Sequence, residues 1–303
     1  MKTNKRYTII ALMAAAAALF AVGCKEQAAS STSASESEAS SAPVSNTVKI
    51  AYPNWAEGIA MTHLIKGVIE DKLGYDVELT QADPGTIYTS LANGGEDIMI
   101  DAWLPNTHKS YWDKYGENLE DFGPVYGYGV TGLVVPAYMD VNSIEDLNGI
   151  ADELDGKIVG IGTGAGIYAN TNKAIDTYDL KLEQIASSGP AMTAALQKAI
   201  EAKQPIVVTG WKPHWMFSRF DLKVLKDPQG VYPIDAVKVV GREGFAKDYP
   251  DLAQLFINYS LTEAQLLDLM DAISEAGSSA NPDDVARDWM ARNEPLVGSW
   301  LPN

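Results

Sequence analysis

Short apolar segments typical of β-strands alternate with segments of helical spacing from residue 47 onward, and this alternation most constrains the fold. TVKIAY at 47–52, for example, precedes a segment in which Ile65, Ile69 and Leu73 recur at helical spacing before Gly74. Such alternation predicts an α/β protein with mainly parallel sheets. Predicted strands are 47–52, 76–80, 98–102, 132–135, 157–161 and 206–209; predicted helices are 56–73, 86–93, 191–202, a short helix capped by Ser143 with Asp146, and a helical region from 251 with starts at Thr262 and Asn281.

Two breaks in composition interrupt this pattern, one near Pro136 and one over residues 227–237. They predict a chain that builds half of one lobe, crosses to a second lobe and then returns. The expected first lobe is residues 47–135 with 237–303, and the expected second lobe is residues 136–236. In open α/β sheets, ligands bind beyond the carboxyl ends of the strands. Two facing lobes would therefore form a ligand cleft that can close.

The first residues of the chain resemble an export signal. Lys2, Lys5 and Arg6 precede an uncharged, mostly apolar run over residues 7–22, which is shorter than the roughly 20 residues of a spanning helix. AVGC at 21–24 resembles a bacterial lipobox, in which the signal is cut before the cysteine and the thiol is lipidated. We therefore expect a signal peptide over residues 1–23 and lipidation of Cys24. A chance cysteine at the end of an ordinary signal is the alternative.

Residues 24–46 are expected to form a flexible tether. The segment is rich in serine and alanine, and Val44 is its single large apolar residue, so it cannot bury enough apolar surface to offset its ordering entropy. Two or three acyl chains on Cys24 would hold the protein firmly on a membrane. The expected location is the extracytoplasmic face of the cell membrane, with a protein that is monomeric when soluble.

Charge and composition exclude several classes of function. The net charge is −17, and removal of residues 1–23 makes it −20, which argues against a nucleic-acid partner. A single cysteine rules out an internal disulfide and a multi-thiolate metal site. The histidines His63, His108 and His214 lack metal-ligand spacing, and no GxSxG motif is present. We expect no metal, no cofactor and no enzymatic activity.

Three tryptophans, Trp55, Trp103 and Trp211, lie at or just beyond the carboxyl ends of predicted strands. Several indoles in one crevice suit a quaternary ammonium group, which has no N–H to donate and spreads its charge over methyl groups. Each desolvated cation–π contact contributes about 2 kcal/mol, so three give about 6 kcal/mol. Micromolar binding needs about 8 kcal/mol, so a second anchor is required. Ordinary packing is the alternative interpretation, and it is the preferred one for the other tryptophans, Trp112, Trp215, Trp289 and Trp300.

The glycine-rich segment GIGTGAGI at 160–167 lies between a predicted strand and a predicted helix. Its main-chain N–H groups could approach an anion at the helix N-terminus. A dinucleotide fingerprint fits the segment only weakly, and glycines with a purely structural role are a further alternative. A zwitterion with a trimethylammonium group and a carboxylate would use both the tryptophans and this segment, which indicates a betaine.

Four motifs spread over residues 47–290 resemble the glycine betaine/proline betaine substrate-binding proteins of ABC importers. They are YPNWAE at 52–57, DAWLPNTH at 101–108, GAGI at 164–167 and TGWKPHWMF at 209–217. The resemblance implies a two-lobe periplasmic-binding-protein fold of type II, no catalytic activity, and the transmembrane permease subunit of an ABC importer as partner.

The same resemblance implies roles for individual residues. Trp55, Trp103 and Trp211 would cage the methylated ammonium, and the N–H groups of Gly166 and Ile167 would bind the ligand carboxylate. His108 would assist at the carboxylate end, with a satisfied surface or loop histidine as the alternative, and His214 would be structural. The ligand could be glycine betaine, proline betaine or carnitine. The remaining alternatives are a choline-specific receptor of the same fold, which would leave the Gly166 and Ile167 donors without an anion, and a surface lipoprotein without a transport role.

Overall fold

The computed structural model describes residues 45–302. The predicted signal peptide, Cys24 and the tether up to residue 44 lie outside the described residues. Within 45–302, every helix is too short or too polar to cross a membrane.

Strands and helices alternate along the described chain. The strands are β1 (Thr47–Tyr52), β2 (Asp76–Gln81), β3 (Ile98–Leu104), β4 (Leu119–Pro136), β5 (Lys157–Val159), β6 (Glu183–Ile185), β7 (Val208–Lys212), β8 (Leu222–Val224) and β9 (Asp235–Arg242). The α-helices are α1 (Ala56–Val68), α2 (Pro84–Ala92), α3 (Lys109–Tyr115), α4 (Gly166–Thr177), α5 (Gly189–Glu201), α6 (Met216–Arg219), α7 (Phe245–Asp248), α8 (Pro250–Asn258), α9 (Glu263–Ala276), α10 (Pro282–Arg292) and α11 (Glu294–Trp300). A π-helical turn (Ile69–Leu73) extends α1, and 3-10 helices span Gly116–Asn118 and Ile144–Ile150.

The strands form two sheet regions that share β4. The first has the order β2-β1-β3-β9-β4, and the second has the order β4-β7-β5-β6, with β8 also paired to β4. The α/β class predicted from the sequence is confirmed. The sheets are mixed rather than mainly parallel, because β4 and β9 run antiparallel to their neighbours. Parallel pairs join β1 to β2 and β3, and β5 to β6 and β7.

The central strand β4 changes partner along its length. It pairs with β9 as far as Gly129, opposite Asp235, and with β7 from Val130 onward. The predicted strand over 132–135 covered only its end, because glycines and three register shifts break the apolar pattern in its first part. The change of partner lies a few residues before the predicted first lobe boundary at 135. The division into lobes itself stays a prediction.

Helix α1 lies at the centre of the core on the first sheet. Leu64, Ile65 and Val68 are fully buried, and α1 packs against α9, α10 and β3. Burial of such a side chain contributes about 1.5–3 kcal/mol. Trp289 and Trp300 are also buried core residues of the C-terminal helices. This packing fixes the start of α1, which carries part of the site described next.

Candidate ligand-binding site

One cavity brings together the six ligand-binding residues predicted from the sequence. Its lining comprises Trp55, Glu57, Trp103, Thr107, His108, Thr131, Ile161, Gly166, Ile167 and Trp211. On the side of the first sheet region, the lining residues come from the start of α1 and the end of β3. On the side of the second, they come from β7 and the start of α4. Residues that are more than 150 positions apart in sequence therefore meet in one place.

The three indoles form an aromatic wall in which two rings are almost completely buried. The ring centroids of Trp55 and Trp211 lie 6.3 Å apart with an interplanar angle of 56°. Trp103 and Trp211 are 2% and 3% exposed. The Trp103 indole lies against Gly129 of β4, where a Cβ would stand 2.6 Å from the ring. This glycine therefore provides the space that the Trp103 ring occupies.

His108 is fully buried in the turn that follows β3, so it is not a surface histidine, whereas the alternative of a loop histidine stays open. Its Nδ1 accepts a hydrogen bond from the main-chain N–H of Trp103 at 3.2 Å, and its Nε2 has no partner among residues 45–302. Burial lowers the pKa of His108 to about 3, so the imidazole is neutral. Because Nδ1 accepts, this hydrogen-bond pattern assigns the proton to Nε2. His108 thus offers one N–H donor at the cavity wall.

Gly166 and Ile167 form the first turn of α4, after Ala165 at the N-cap. The first N–H groups of a helix have no intrahelical partner, and the helix dipole favours an anion there. Gly166 also packs against the loop that follows β3. A Cβ at this position would overlap the carbonyl oxygen of Thr107 and lie 2.7 Å from its Cγ2. The close approach between the two sides of the cavity therefore requires glycine.

A hydrogen bond near the cavity joins the same two sides. The hydroxyl of Tyr111 on α3 donates to the carbonyl oxygen of Gly164 at 2.8 Å. Tyr111 stacks on Tyr88 at 5.2 Å, and the Tyr88 ring meets His108 edge-on at 5.6 Å. Tyr111 lies outside the cavity lining, but it connects the glycine-rich loop to the aromatic group that supports His108.

Sequence reasoning missed two buried acids, Glu57 and Asp101. Both residues are fully buried. In the described part of the chain, both carboxylate oxygens of Glu57 and the Oδ2 of Asp101 have no hydrogen-bond partner. Asp101 Oδ1 accepts a hydrogen bond from Trp103 Nε1 at 2.9 Å. Burial and the neighbouring Asp101 raise the pKa of Glu57 well above its usual range, and burial raises the pKa of Asp101 to about 7. Alternation along β3 places Asp101 on the same face as Trp103, and this signal could have identified it.

His214 is buried with Nδ1 accepting from the N–H of Met216 at 3.1 Å, a contact that fits a structural role. Within residues 45–302, no three or more histidine, cysteine, aspartate or glutamate side chains come together as a candidate metal site.

Two mixed sheets joined by a shared strand, with an aromatic cavity between them, define a substrate-binding protein of the periplasmic-binding-protein class. The family model described as the substrate-binding domain of ABC-type glycine betaine transport systems (OpuAC) matches residues 46–292. The chain belongs to this family.

Solved structures and a curated relative agree with this assignment. Lactococcal OpuAC, solved closed with glycine betaine, is 35% identical, with a TM-score of 0.79, over 84% of this chain and 99% of that one. The glycine betaine/L-proline-binding protein ProX from Borrelia burgdorferi is 33% identical, with a TM-score of 0.81, over 85% and 97%. A choline-binding protein solved with choline is 26% identical, with a TM-score of 0.78, over 84% and 91%.

The glycine betaine/carnitine transport binding protein GbuC of Listeria monocytogenes is 37% identical over 155 residues, which are 50% of this chain. This match spans about half (51%) of the curated relative's length.

Proposed function

We propose that this protein is the solute receptor of an ABC importer. It binds glycine betaine or a related quaternary-ammonium osmoprotectant, such as proline betaine or carnitine, and delivers it to the transmembrane permease subunit. It performs no catalysis and uses no cofactor. The observation that carries the proposal is a single cavity that combines three indoles with the N-terminus of α4 and a neutral histidine donor.

The two ends of a betaine match the two halves of this cavity. Trp55, Trp103 and Trp211 offer π faces to a trimethylammonium group, which hydrogen bonds cannot hold. The N–H groups of Gly166 and Ile167 are donors suited to the carboxylate at the other end. The Nε2–H of His108 adds a neutral donor, so the carboxylate gains hydrogen bonds without a buried cation.

Choline is the second candidate ligand, and the buried carboxyl of Glu57 is the observation that favours it. Choline carries a net positive charge, which a carboxylate at the cavity wall would balance. It lacks a carboxylate, however, and would leave the donors of Gly166, Ile167 and His108 without an anionic partner. An unpaired buried donor costs about 1–3 kcal/mol. We therefore expect betaines to bind more tightly than choline.

Calorimetric titration of residues 25–303 with glycine betaine and with choline tests this proposal. The expected result is saturable binding of glycine betaine with a change in tryptophan fluorescence, and choline weaker by at least about tenfold, which corresponds to about 1.4 kcal/mol. Equal affinity would contradict the carboxylate anchor. No saturable binding of any quaternary ammonium compound would contradict the receptor function and leave a surface lipoprotein without a transport role.

We further propose that Cys24 is lipidated after removal of residues 1–23, which holds the protein on the extracytoplasmic face of the cell membrane. Residues 25–46 would then act as the tether between the lipid and the folded part, and the protein would be monomeric once released. Fractionation of cells that express Cys24→Ala tests this: the variant is expected in the soluble fraction. Retention of the processed variant in the membrane fraction would contradict lipidation.

A further inference from the structure

Two buried carboxyl groups lie at the cavity: Glu57 lines it, and Asp101 accepts a hydrogen bond from the indole N–H of Trp103. Both residues are fully buried, and three of their four carboxylate oxygens have no hydrogen-bond partner among the described residues. Asp101 lies beneath the first turn of α1, where a Cβ at Gly58 would stand 2.7 Å from Asp101 Oδ2. Glu57 is itself part of the cavity lining.

Among residues 45–302, no lysine, arginine or histidine forms an ion pair with either carboxyl group. His108, which lines the same cavity as Glu57, is neutral, and burial raises the pKa of Tyr88, so its phenol is neutral as well. The ionisable groups on the surrounding elements contact other partners than Glu57 and Asp101. On α1, His63 pairs with Asp283 of α10, and Lys66 pairs with Glu70 and Asp283. Asp268 of α9 binds Trp289, and Lys212 of β7 lies over the ring of Phe217.

Two adjacent buried carboxylates without a cation cannot both be ionised, because each loses its hydration and repels the other. The unliganded pair must therefore hold at least one proton. The indole N–H of Trp103 favours the ionised form of Asp101, and the Trp211 side chain favours that of Glu57 by less than burial disfavours it. Burial raises the pKa of both carboxyl groups, so the stored proton is shared between them and they titrate as a pair.

We propose that the Glu57–Asp101 pair is a proton-linked charge sensor that selects ligands with a permanent positive charge. A quaternary ammonium in the cage supplies the cation that the pair lacks, so the pair ionises further and releases a proton to solvent. By linkage, affinity for such a ligand rises with pH over the range in which the unliganded pair is still protonated. This inference rests on the proposed function.

Two ligands of the same shape that differ only in positive charge are expected to bind differently. In tert-butylacetate, the nitrogen of glycine betaine is replaced by carbon, so the ligand keeps the three methyl groups and the carboxylate but loses the positive charge. It offers no counter-charge to the pair and forms no cation–π contact. Its binding is expected to be at least about 100-fold weaker, because it loses the desolvated cation–π contacts, and it is expected to release no proton.

Calorimetry of the purified protein at about pH 6.5, near the middle of the expected range, counts the protons directly. Titration with glycine betaine in phosphate and in bis-Tris, which differ in ionisation enthalpy, is expected to give heats that differ by the release of between half a proton and one proton per ligand. Affinity is expected to rise as pH increases from about 5.5 to 7.5, by up to about tenfold per unit. Glu57→Gln is expected to abolish the release. The matched control is Glu96→Gln, which changes a partly buried glutamate outside the cavity and is expected to retain it.

Calorimetry of the wild-type protein in the two buffers tests proton release even if a variant fails to fold. Saturable binding with heats that are identical in the two buffers would overturn the proton-linked sensor and leave the receptor function standing. Release that persists at full size in a folded Glu57→Gln variant would also overturn it. Absence of binding by any quaternary ammonium compound would overturn the receptor function and this inference together.

Discussion

Replacement of Gly166 by alanine is expected to impair ligand binding without harming the fold. Gly166 is the first residue of α4, where alanine is a better helix former than glycine by up to about 1 kcal/mol. The new methyl group, however, would overlap the carbonyl oxygen of Thr107 and stand 2.7 Å from its Cγ2. The two sides of the cavity could then not approach each other as they do in the wild type.

The size of this effect follows from desolvation of the cage. A cation–π contact is worth about 2 kcal/mol when water is excluded and about 0.5–1 kcal/mol when it is exposed. If the cleft stays ajar, three indole contacts together lose about 3 kcal/mol, and affinity for glycine betaine falls by about two orders of magnitude. The variant retains the main-chain N–H of residue 166, which is the donor to the ligand carboxylate. A loss of affinity would therefore result from incomplete closure of the cleft and not from a missing hydrogen bond.

The assay is calorimetric titration with glycine betaine, with thermal unfolding as the test of the fold. Gly164→Ala is the matched control, because a Cβ there would lie 3.4 Å from Asp83 Cβ, an ordinary van der Waals contact. It is expected to bind within about threefold of wild type, a change of less than about 0.7 kcal/mol. Wild-type affinity in Gly166→Ala would show that a methyl group at this position does not keep the cleft open.

Three further outcomes are expected. Trp103→Ala or Trp211→Ala should weaken betaine binding in calorimetry by at least about tenfold through loss of one desolvated π face, and unchanged affinity in both would contradict the cage. Tyr111→Phe, which removes the hydrogen bond to Gly164, should raise the ligand dissociation rate in stopped-flow fluorescence by about threefold to tenfold, whereas Tyr128→Phe, an exposed control, should not. Burial raises the pKa of Asp101 from 3.8 to about 7, so its contribution to stability is present at low pH and is lost as pH rises through about 7. Asp101→Asn should flatten this decline in thermal unfolding, and an unchanged dependence of stability on pH would contradict the role of Asp101.

Local signals in the sequence were sufficient for most of the elements that position the site. The strand over 47–52 and the helix start at Thr262 lie where the sequence places them, because both depend on neighbouring residues. Strand β9 was missed, since its segment begins within the composition break at 227–237 and its central position becomes evident only from pairing with β3 and β4.

The candidate site shows the same division between local and long-range information. Trp103 and Trp211 were found because they lie near strand ends, although both are inside β3 and β7 rather than beyond them. Glu57 and Asp101 were missed, because a carboxyl residue at a helix start or near the end of a strand is usually solvated. Only the packing of α1 over β3 removes both groups from water.

A crystal structure of the protein with glycine betaine would show which part of the cavity binds each end of the ligand. The ligand nitrogen is expected within about 6 Å of the centroids of Trp55, Trp103 and Trp211. The ligand carboxylate is expected to accept hydrogen bonds from the N–H groups of Gly166 and Ile167 and from His108 Nε2. A ligand bound in the reverse orientation, or bound outside this cavity, would contradict the proposed binding mode.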